Sequence, residues 1–279
     1  MKLKPFLFSA LFVLIYLNAG AQHLIVATFN LRYDNKGDTG NLWVNRAPVA
    51  AALIRFHQFD ILGTQEGLKN QLDDLNAALP EYKRYGLGRD DGKDAGEHSA
   101  IFFKKSRFVL LKKGDFWLSE TPDKPGLGWD ATCCNRICSW VYLQDKQSKK
   151  KFYFFNAHFD HQGKVAREES AKLILKKIKE IAGTQKAIFT GDLNGDHEST
   201  WYQLLAKSGY LVDTYSQAAH PYEFNPSFQS FGEEIKSVGI IDHIFTTGKV
   251  NVKRWGVLSD SYHGKYPSDH FPVLAEVSL

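Results

Sequence analysis

The stretch "KAIFTGDLNGDHES", Lys186–Ser199, runs from an apolar segment into three polar residues at alternate positions, Asp192, Asn194 and Asp196. Two local structures compete for it. One is the start of an EF-hand calcium loop, which needs Gly at loop position six, Glu at position twelve and a helix in front. With Asp192 as position one, those places hold His197 and Gln203, and the preceding "KAIFT" is β-branched and aromatic. The other is a buried strand that ends in an acid and an amide, and this is the reading that survives. Asp196 is then a turn residue or a cap for a helix starting near Ser199.

The same pattern recurs along the chain. "LIVATFN" ends on Asn30, "ILGTQE" on Gln65 and Glu66, and "FYFFNAHFDH" carries Asn156, His158, Asp160 and His161. "IIDHIF" embeds Asp242 and His243 among apolar residues, and "SDHFP" sets Asp269 and His270 before the last strand. A single strand-end Asn or Asp is an ordinary turn former. Several carboxylates buried together repel one another and call for a cation. Oxygen donors from Asn, Glu and Asp suit a hard divalent ion, Mg²⁺ or alternatively Mn²⁺. No sulfur ligand belongs to the set, which argues against structural zinc.

Between these strand ends the periodicity alternates. Helices are expected over Arg46–His57, with Pro48 in the first turn, over Leu68–Leu79, over Val165–Ala182 and over "TWYQLLAKSG", stopped by Gly209. "YKRYGLG", "SAIFFK", "FVLLKKGDFWLS", "RICSWVYLQD" and "KFYFFNAHF" read as consecutive antiparallel strands. Strand–helix units at both ends flank a run of strands, with no Pro/Gly/Ser-rich linker. This predicts one domain, residues 22–279, of two packed sheets with helices outside.

The first residues, "MKLKPFLFSALFVLIYLNAGAQ", combine Lys2 and Lys4, an apolar run and an Ala-Gly-Ala site. They read as a signal peptide over residues 1–21, so a periplasmic or extracellular chain without stable membrane insertion is expected. Of 35 basic and 31 acidic residues, removing Lys2 and Lys4 leaves 33 and 31, a net charge of +2. That balance argues mildly against a long polyanion as substrate. Cys133, Cys134 and Cys138 suggest a local disulfide or packing.

Six motifs in order, "TFNLR", "LGTQE", "NAHFDHQG", "GDLNGD", "IDHIF" and "SDHFP", resemble those of the endonuclease/exonuclease/phosphatase superfamily. "GRDDG", "GEHSAIFF" and "FWLSETPDKPGLGWDA" resemble its exported bacterial members. The resemblance implies an α+β, four-layer α/β sandwich, with two mixed β-sheets face to face and helices on the outsides. It implies that Glu66 and Asn30 hold the metal, joined by Asp269. Asp192 would orient or deprotonate the attacking water, Asn194 would contact the phosphate, and His270, held by Asp242, would stabilise phosphoryl charge. His158 and His161 would also reach the phosphate. Arg32 stands where repair nucleases carry a second acid, which weakens a two-metal, repair-nuclease reading. Arg136, Arg89, Glu97 and Trp129 are the substrate-facing candidates; Arg136 fits a phosphate clamp or a surface ion pair equally.

The expected function is therefore a secreted Mg²⁺-dependent phosphoesterase, acting on a phosphodiester of small-molecule, sugar or lipid type. The alternatives are an extracellular nuclease acting on DNA or RNA, a phosphomonoesterase on a sugar- or lipid-linked phosphate, and a non-catalytic binding module.

Overall fold

The computed structural model describes residues 23–233 and 239–279. The expected signal peptide lies outside the described residues. Among the described residues no helix is long and apolar enough to cross a membrane.

The strand β1 (Leu24–Asn30) shows why the chain forms four layers. Its alternate residues Leu24 and Val26 enter one apolar cluster, while Ala27 and Phe29 enter another. A strand buried on both faces reads as a continuous apolar run rather than an alternating one. One sheet has the order β11 (Asn251–Val257), β12 (Val273–Ser278), β1, β2 (Ile61–Gln65), β4 (Ile101–Lys104), β3 (Tyr82–Tyr85). The other has the order β5 (Phe108–Trp117), β6 (Ile137–Asp145), β7 (Lys151–His158), β8 (Lys186–Asp192), β10 (Asp242–Thr247), β9 (Leu211–Asp213). Between them pack Val26, Ile61, Phe103, Val141, Phe154, Ile188 and Ile244. Outside the first sheet lie α1 (Trp43–Phe56) and α2 (Lys69–Ala78), and outside the second lie α3 (Lys164–Ala182) and α4 (Thr200–Ala206). The four-layer α/β sandwich is the observed fold.

Two expectations are corrected. The strands from Tyr82 to His158 do not form one sheet: β3 and β4 pair with β2, while β5, β6 and β7 build the facing sheet. Strands of both sheets carry apolar residues into the shared core, so local pattern cannot say which sheet a strand joins. Helix α1 starts at Trp43 rather than Arg46, which puts Pro48 in its second turn. Tertiary contacts hold that extra turn. Trp43 Nε1 donates to Asp74 Oδ2 at 2.8 Å, and buried Arg46 donates to the carbonyls of Asn41, Leu31 and Pro267 at 2.7, 2.7 and 3.0 Å. The hydrogen bond that Pro48 cannot make would have reached the carbonyl of Val44, an exposed residue. Strand β9 is too short to carry a periodicity and was not anticipated.

The polar strand ends are brought to one rim by topology. β1 and β2 run parallel, as do β7 and β8, so Asn30, Gln65, His158 and Asp192 end their strands on the same side. β10 and β12 run antiparallel to those strands, so Asp242 at the start of β10 and Asp269–His270 before β12 arrive at that rim. Asp242 sits directly across from Asp192, and His158 directly beside it. Asn156 stitches the two sheets just below. Its Nδ2 donates to the carbonyls of Thr64 (2.8 Å) and Ala100 (3.0 Å), and its Oδ1 accepts from Gln65 Nε2 at 2.7 Å.

Candidate active site

Polar side chains meet at this rim around a cleft of about 930 Å³. Glu66 follows β2 in a left-handed conformation, φ 61°, which a non-glycine residue adopts only where the surroundings hold it. Its Oε1 accepts from Asn30 Nδ2 at 3.0 Å and its Oε2 from the Tyr33 N–H at 3.1 Å. Asn30 Nδ2 also donates to Asp192 Oδ2 at 3.0 Å, and Asn30 Oδ1 accepts the Arg32 N–H at 2.9 Å. The Asn30 amide thus links the two carboxylates and fixes Glu66, where a ligand role was expected of it. Ser268 Oγ donates to the Asn30 carbonyl at 2.7 Å, tying the loop of Asp269 to β1.

His270 lies between acids. Its Nδ1 is 2.9 Å from Asp242 Oδ2 and its Nε2 is 3.8 Å from Asp192 Oδ2. Burial alone would lower its pKa, but Asp242, through charge and hydrogen bond, and then Asp192 and Asp269 outweigh burial and raise it to about 10. It is an imidazolium at neutral pH, with Nδ1–H donating to Asp242. Burial, followed by repulsion from Asp242, pushes Asp192 up to about 7, against the pull of His270, the Asn194 N–H and Asn30. A carboxylate with that value suits proton transfer near neutrality. Asp269 is raised to about 6, first by burial and then, against His270, by Glu66.

The remaining expected residues divide. His158, His161, Asn194, Arg136, Arg89 and Glu97 all line the cleft. Arg136 is 5 % exposed, so it is no surface ion pair. Its Nη2 donates to His161 Nδ1 at 2.8 Å, and its Nε lies 3.5 Å from Asp160 Oδ2. Its Nε and Nη1, and the Nε of Arg89, have no hydrogen-bond partner among the described residues. Arg89 Nη1 donates to Glu97 Oε2 at 2.6 Å. Burial, ahead of opposing Arg89 and reinforcing Glu66, raises Glu97 to about 7. Burial and then Arg136 lower His158 and His161, so both are neutral rings.

Asn194, expected to contact the phosphate, lines the cleft. Its φ is 46°, and its Nδ2 donates to His158 Nε2 (3.0 Å) and the Phe159 carbonyl (3.1 Å). In this arrangement its amide orients His158. Trp129 is not brought to the cleft lining. Its neighbour Asp130 accepts the Val165 and Ala166 N–H groups at the start of α3. Asp196 is a turn residue: its Oδ1 accepts the Glu198 N–H and its carbonyl the Ser199 N–H.

Cleft-lining residues that the sequence did not single out are Trp201, Phe228, Tyr33 and Ile241. Phe228 meets the His270 ring edge-on at 5.1 Å, and Arg167 lies 4.3 Å over Trp201. An aromatic residue in a first helical turn reads as core, so only the position of Trp201 just past "GDLNGD" could have flagged it. Cys133 and Cys134 form a disulfide at the cleft rim, and Cys138 is a buried free thiol.

A family model described as the Endonuclease/Exonuclease/phosphatase family matches residues 27–270. The chain belongs to that family. Endonuclease/exonuclease/phosphatase proteins are phosphoester hydrolases, and this member is a hydrolase of that kind. A mannosyl-6-phosphatase from Bacteroides thetaiotaomicron is 46 % identical over 92 % of this chain and 100 % of its own, with a TM-score of 0.88. An endonuclease/exonuclease/phosphatase protein from Bacteroides vulgatus is 41 % identical over 92 % and 99 %, with a TM-score of 0.89. A mimivirus protein of uncharacterised function is 26 % identical, covering 83 % of this chain and 91 % of its own.

The donor chemistry fits the divalent ion on which the family typically depends. Burial and repulsion from Glu66 raise the Asp269 pKa even though His270, Arg32 and Arg46 oppose them, so a further cation between the two carboxylates would be favoured. Asp192, Asp242 and His270 also form a compact group, but the imidazolium of His270 already supplies its positive charge.

Proposed function

We propose that this chain is a divalent-metal-dependent phosphomonoesterase that removes the terminal phosphate of a sugar phosphate. The observation that carries this reading is the pair of guanidiniums, buried Arg136 and partly buried Arg89, that line one cleft with Glu66, Asp192 and His270. A terminal phosphate is a dianion near neutral pH, whereas a diester carries a single charge. Two guanidiniums, an imidazolium and a cation match the dianion better. The kinship to a mannosyl-6-phosphatase supports a sugar as the leaving group, and donors such as neutral His161 suit its hydroxyls. The leader-like N-terminus supports a periplasmic or extracellular setting.

Glu66 and Asp269 would hold a single Mg²⁺ or Mn²⁺ ion. Arg32 supports the single site, because its Nε lies 3.7 Å from Asp269 Oδ2 and supplies positive charge there. Bound there, the ion supplies charge against the phosphoryl oxygens. Asp192 takes the proton of the attacking water, its Oδ1 held by the Asn194 N–H at 2.9 Å. His270 directs Nε2–H at a phosphoryl oxygen, where preorganised donors contribute most in a dry site. Asp242 keeps the ring charged and aimed.

Phosphate release from mannose 6-phosphate and glucose 6-phosphate, compared with cleavage of bis-p-nitrophenyl phosphate, tests the reading with and without chelator. Chelator-sensitive release that favours the monoesters is expected. Faster turnover of the diester, or indifference to chelator, would overturn it.

A further inference from the structure

Behind the cleft wall a second set of donors converges on one point. His197 closes the turn after β8, Asp213 ends β9, and His243 follows Asp242 in β10. His197 Nε2 lies 3.9 Å, and His243 Nδ1 3.4 Å, from the same atom, Asp213 Oδ2. All three donor atoms lie within 4.8 Å of one another.

The protons of His243 decide what this arrangement means. Its Nε2 is 2.9 Å from the Gly195 carbonyl, which only accepts, so Nε2 carries the hydrogen. In the neutral ring the Nδ1 lone pair then faces a carboxylate oxygen. That atom has no hydrogen-bond partner among the described residues, and His243 is 1 % exposed. His197 Nε2 is likewise buried and without a partner among them. In that tautomer the His243 Nδ1 lone pair and the Asp213 carboxylate repel each other unless a cation lies between them, and His197 Nε2 is turned to the same oxygen.

The surroundings are those of a metal ligand set. A histidine ligand commonly gives its other N–H to a carbonyl or carboxylate, as His243 does to Gly195. A ligating carboxylate is itself hydrogen-bonded, and here Asp213 Oδ2 accepts from Tyr202 Oη at 3.0 Å and Oδ1 from the Tyr215 N–H at 2.9 Å. Ligands about 2.0–2.1 Å from a tetrahedral zinc ion lie roughly 3.3 Å apart; the His243–Asp213 spacing of 3.4 Å matches this, and His197, at 3.9 Å, would move inward by about half an ångström. The His197 side chain is 26 % exposed, so this ligand sits at the solvent side of the group.

We propose that His197, Asp213 and His243 bind a transition-metal ion of the Zn²⁺ class, separate from the oxygen-lined site at Glu66. The ion ties the turn carrying Asn194, Gly195 and Asp196 to β9 and β10, and so braces one wall of the cleft. Two nitrogens and one carboxylate select a borderline ion over Mg²⁺.

The test uses the full chain carrying Glu66→Gln, stripped with chelator and then titrated with Co²⁺ and with Zn²⁺. One ion per chain is expected, with the intense visible bands of tetrahedral Co²⁺, displaced by Zn²⁺, and a melting temperature raised by Zn²⁺. Adding His197→Ala, at a partly exposed position, should abolish the bands and weaken Zn²⁺ binding by about tenfold or more. Tyr202→Phe keeps all three ligands and should weaken binding without removing the bands. The proposal is overturned if the Glu66→Gln chain binds no Zn²⁺, or if His197→Ala binds it as tightly as its parent.

Discussion

At the scale of single residues, the site turns on His270 and its two acidic neighbours. Its folded pKa, about 10, lies above the ordinary histidine value of about 6.5. The imidazolium and the stability it contributes are therefore fully present below pH 6.5, and are lost as pH rises through about 10. Hydrolysis that needs the Nε2–H donor of the charged ring should fall on that alkaline limb. Asp242→Asn removes the carboxylate 2.9 Å from Nδ1 and should move the limb down by about 1–3 pH units. A profile of kcat/KM against pH for both proteins checks this; an unmoved limb would show that another group governs it. Much of this site was legible because a buried strand rarely carries lone polar residues: Asn30, Glu66, Asp192 and Asp242 stood out against their apolar neighbours. The uses of Asn30 and Asn194 were not legible. An amide both donates and accepts, and only the placed partners show which end faces which group.

At the scale of elements, the rim depends on how closely β2 approaches the facing sheet. A Cβ on Gly63 would lie 2.4 Å from Asn156 Oδ1 and 2.4 Å from Thr190 Oγ1. Those atoms hydrogen-bond each other at 3.1 Å, and Asn156 also accepts from Gln65, the residue before Glu66. Gly63→Ala should force the sheets apart, lowering the melting temperature by roughly 2–10 °C and activity with it. Gly126→Ala is the control, since its nearest neighbour is Thr121 Oγ1 at 3.8 Å. Equal melting temperatures for the two variants would show that the contact relaxes without cost. Sequence reading found the strands but not this stitch, because Asn156 and Gly63 are 93 positions apart and neither is unusual within its own segment. The same limit explains β3 and β4. Their apolar residues announce burial, while the choice of partner strand rests on contacts distant in sequence.

At the scale of the whole molecule, the four layers were legible because central strands such as β1 show apolar residues to both faces while α3 shows a single stripe. Ala171, Ile174, Ile178 and Ala182 are buried, with Leu175 and Ile181 only partly covered. Charge distribution supplies the last discrimination, between a small phosphate and a nucleic acid. Three guanidiniums, Arg32, Arg89 and Arg136, line the cleft, where Arg136 is buried and Arg89 largely so. The lysines of α3 are engaged along the helix surface: Lys172 with Glu169, and Lys176 and Lys177 with Glu180. A protein that tracks a polynucleotide backbone releases many counterions and loses roughly a thousandfold or more in affinity between about 50 mM and about 200 mM salt. A dianion held by buried groups is screened far less. The KM for a sugar phosphate should therefore change by less than about tenfold across that range, while plasmid DNA stays uncut at the same enzyme concentration. Steady-state kinetics at several salt concentrations, with a parallel plasmid digest, checks both arms. A KM that climbs steeply with salt, together with nicked plasmid, would place the working cations on the surface and favour the nuclease alternative.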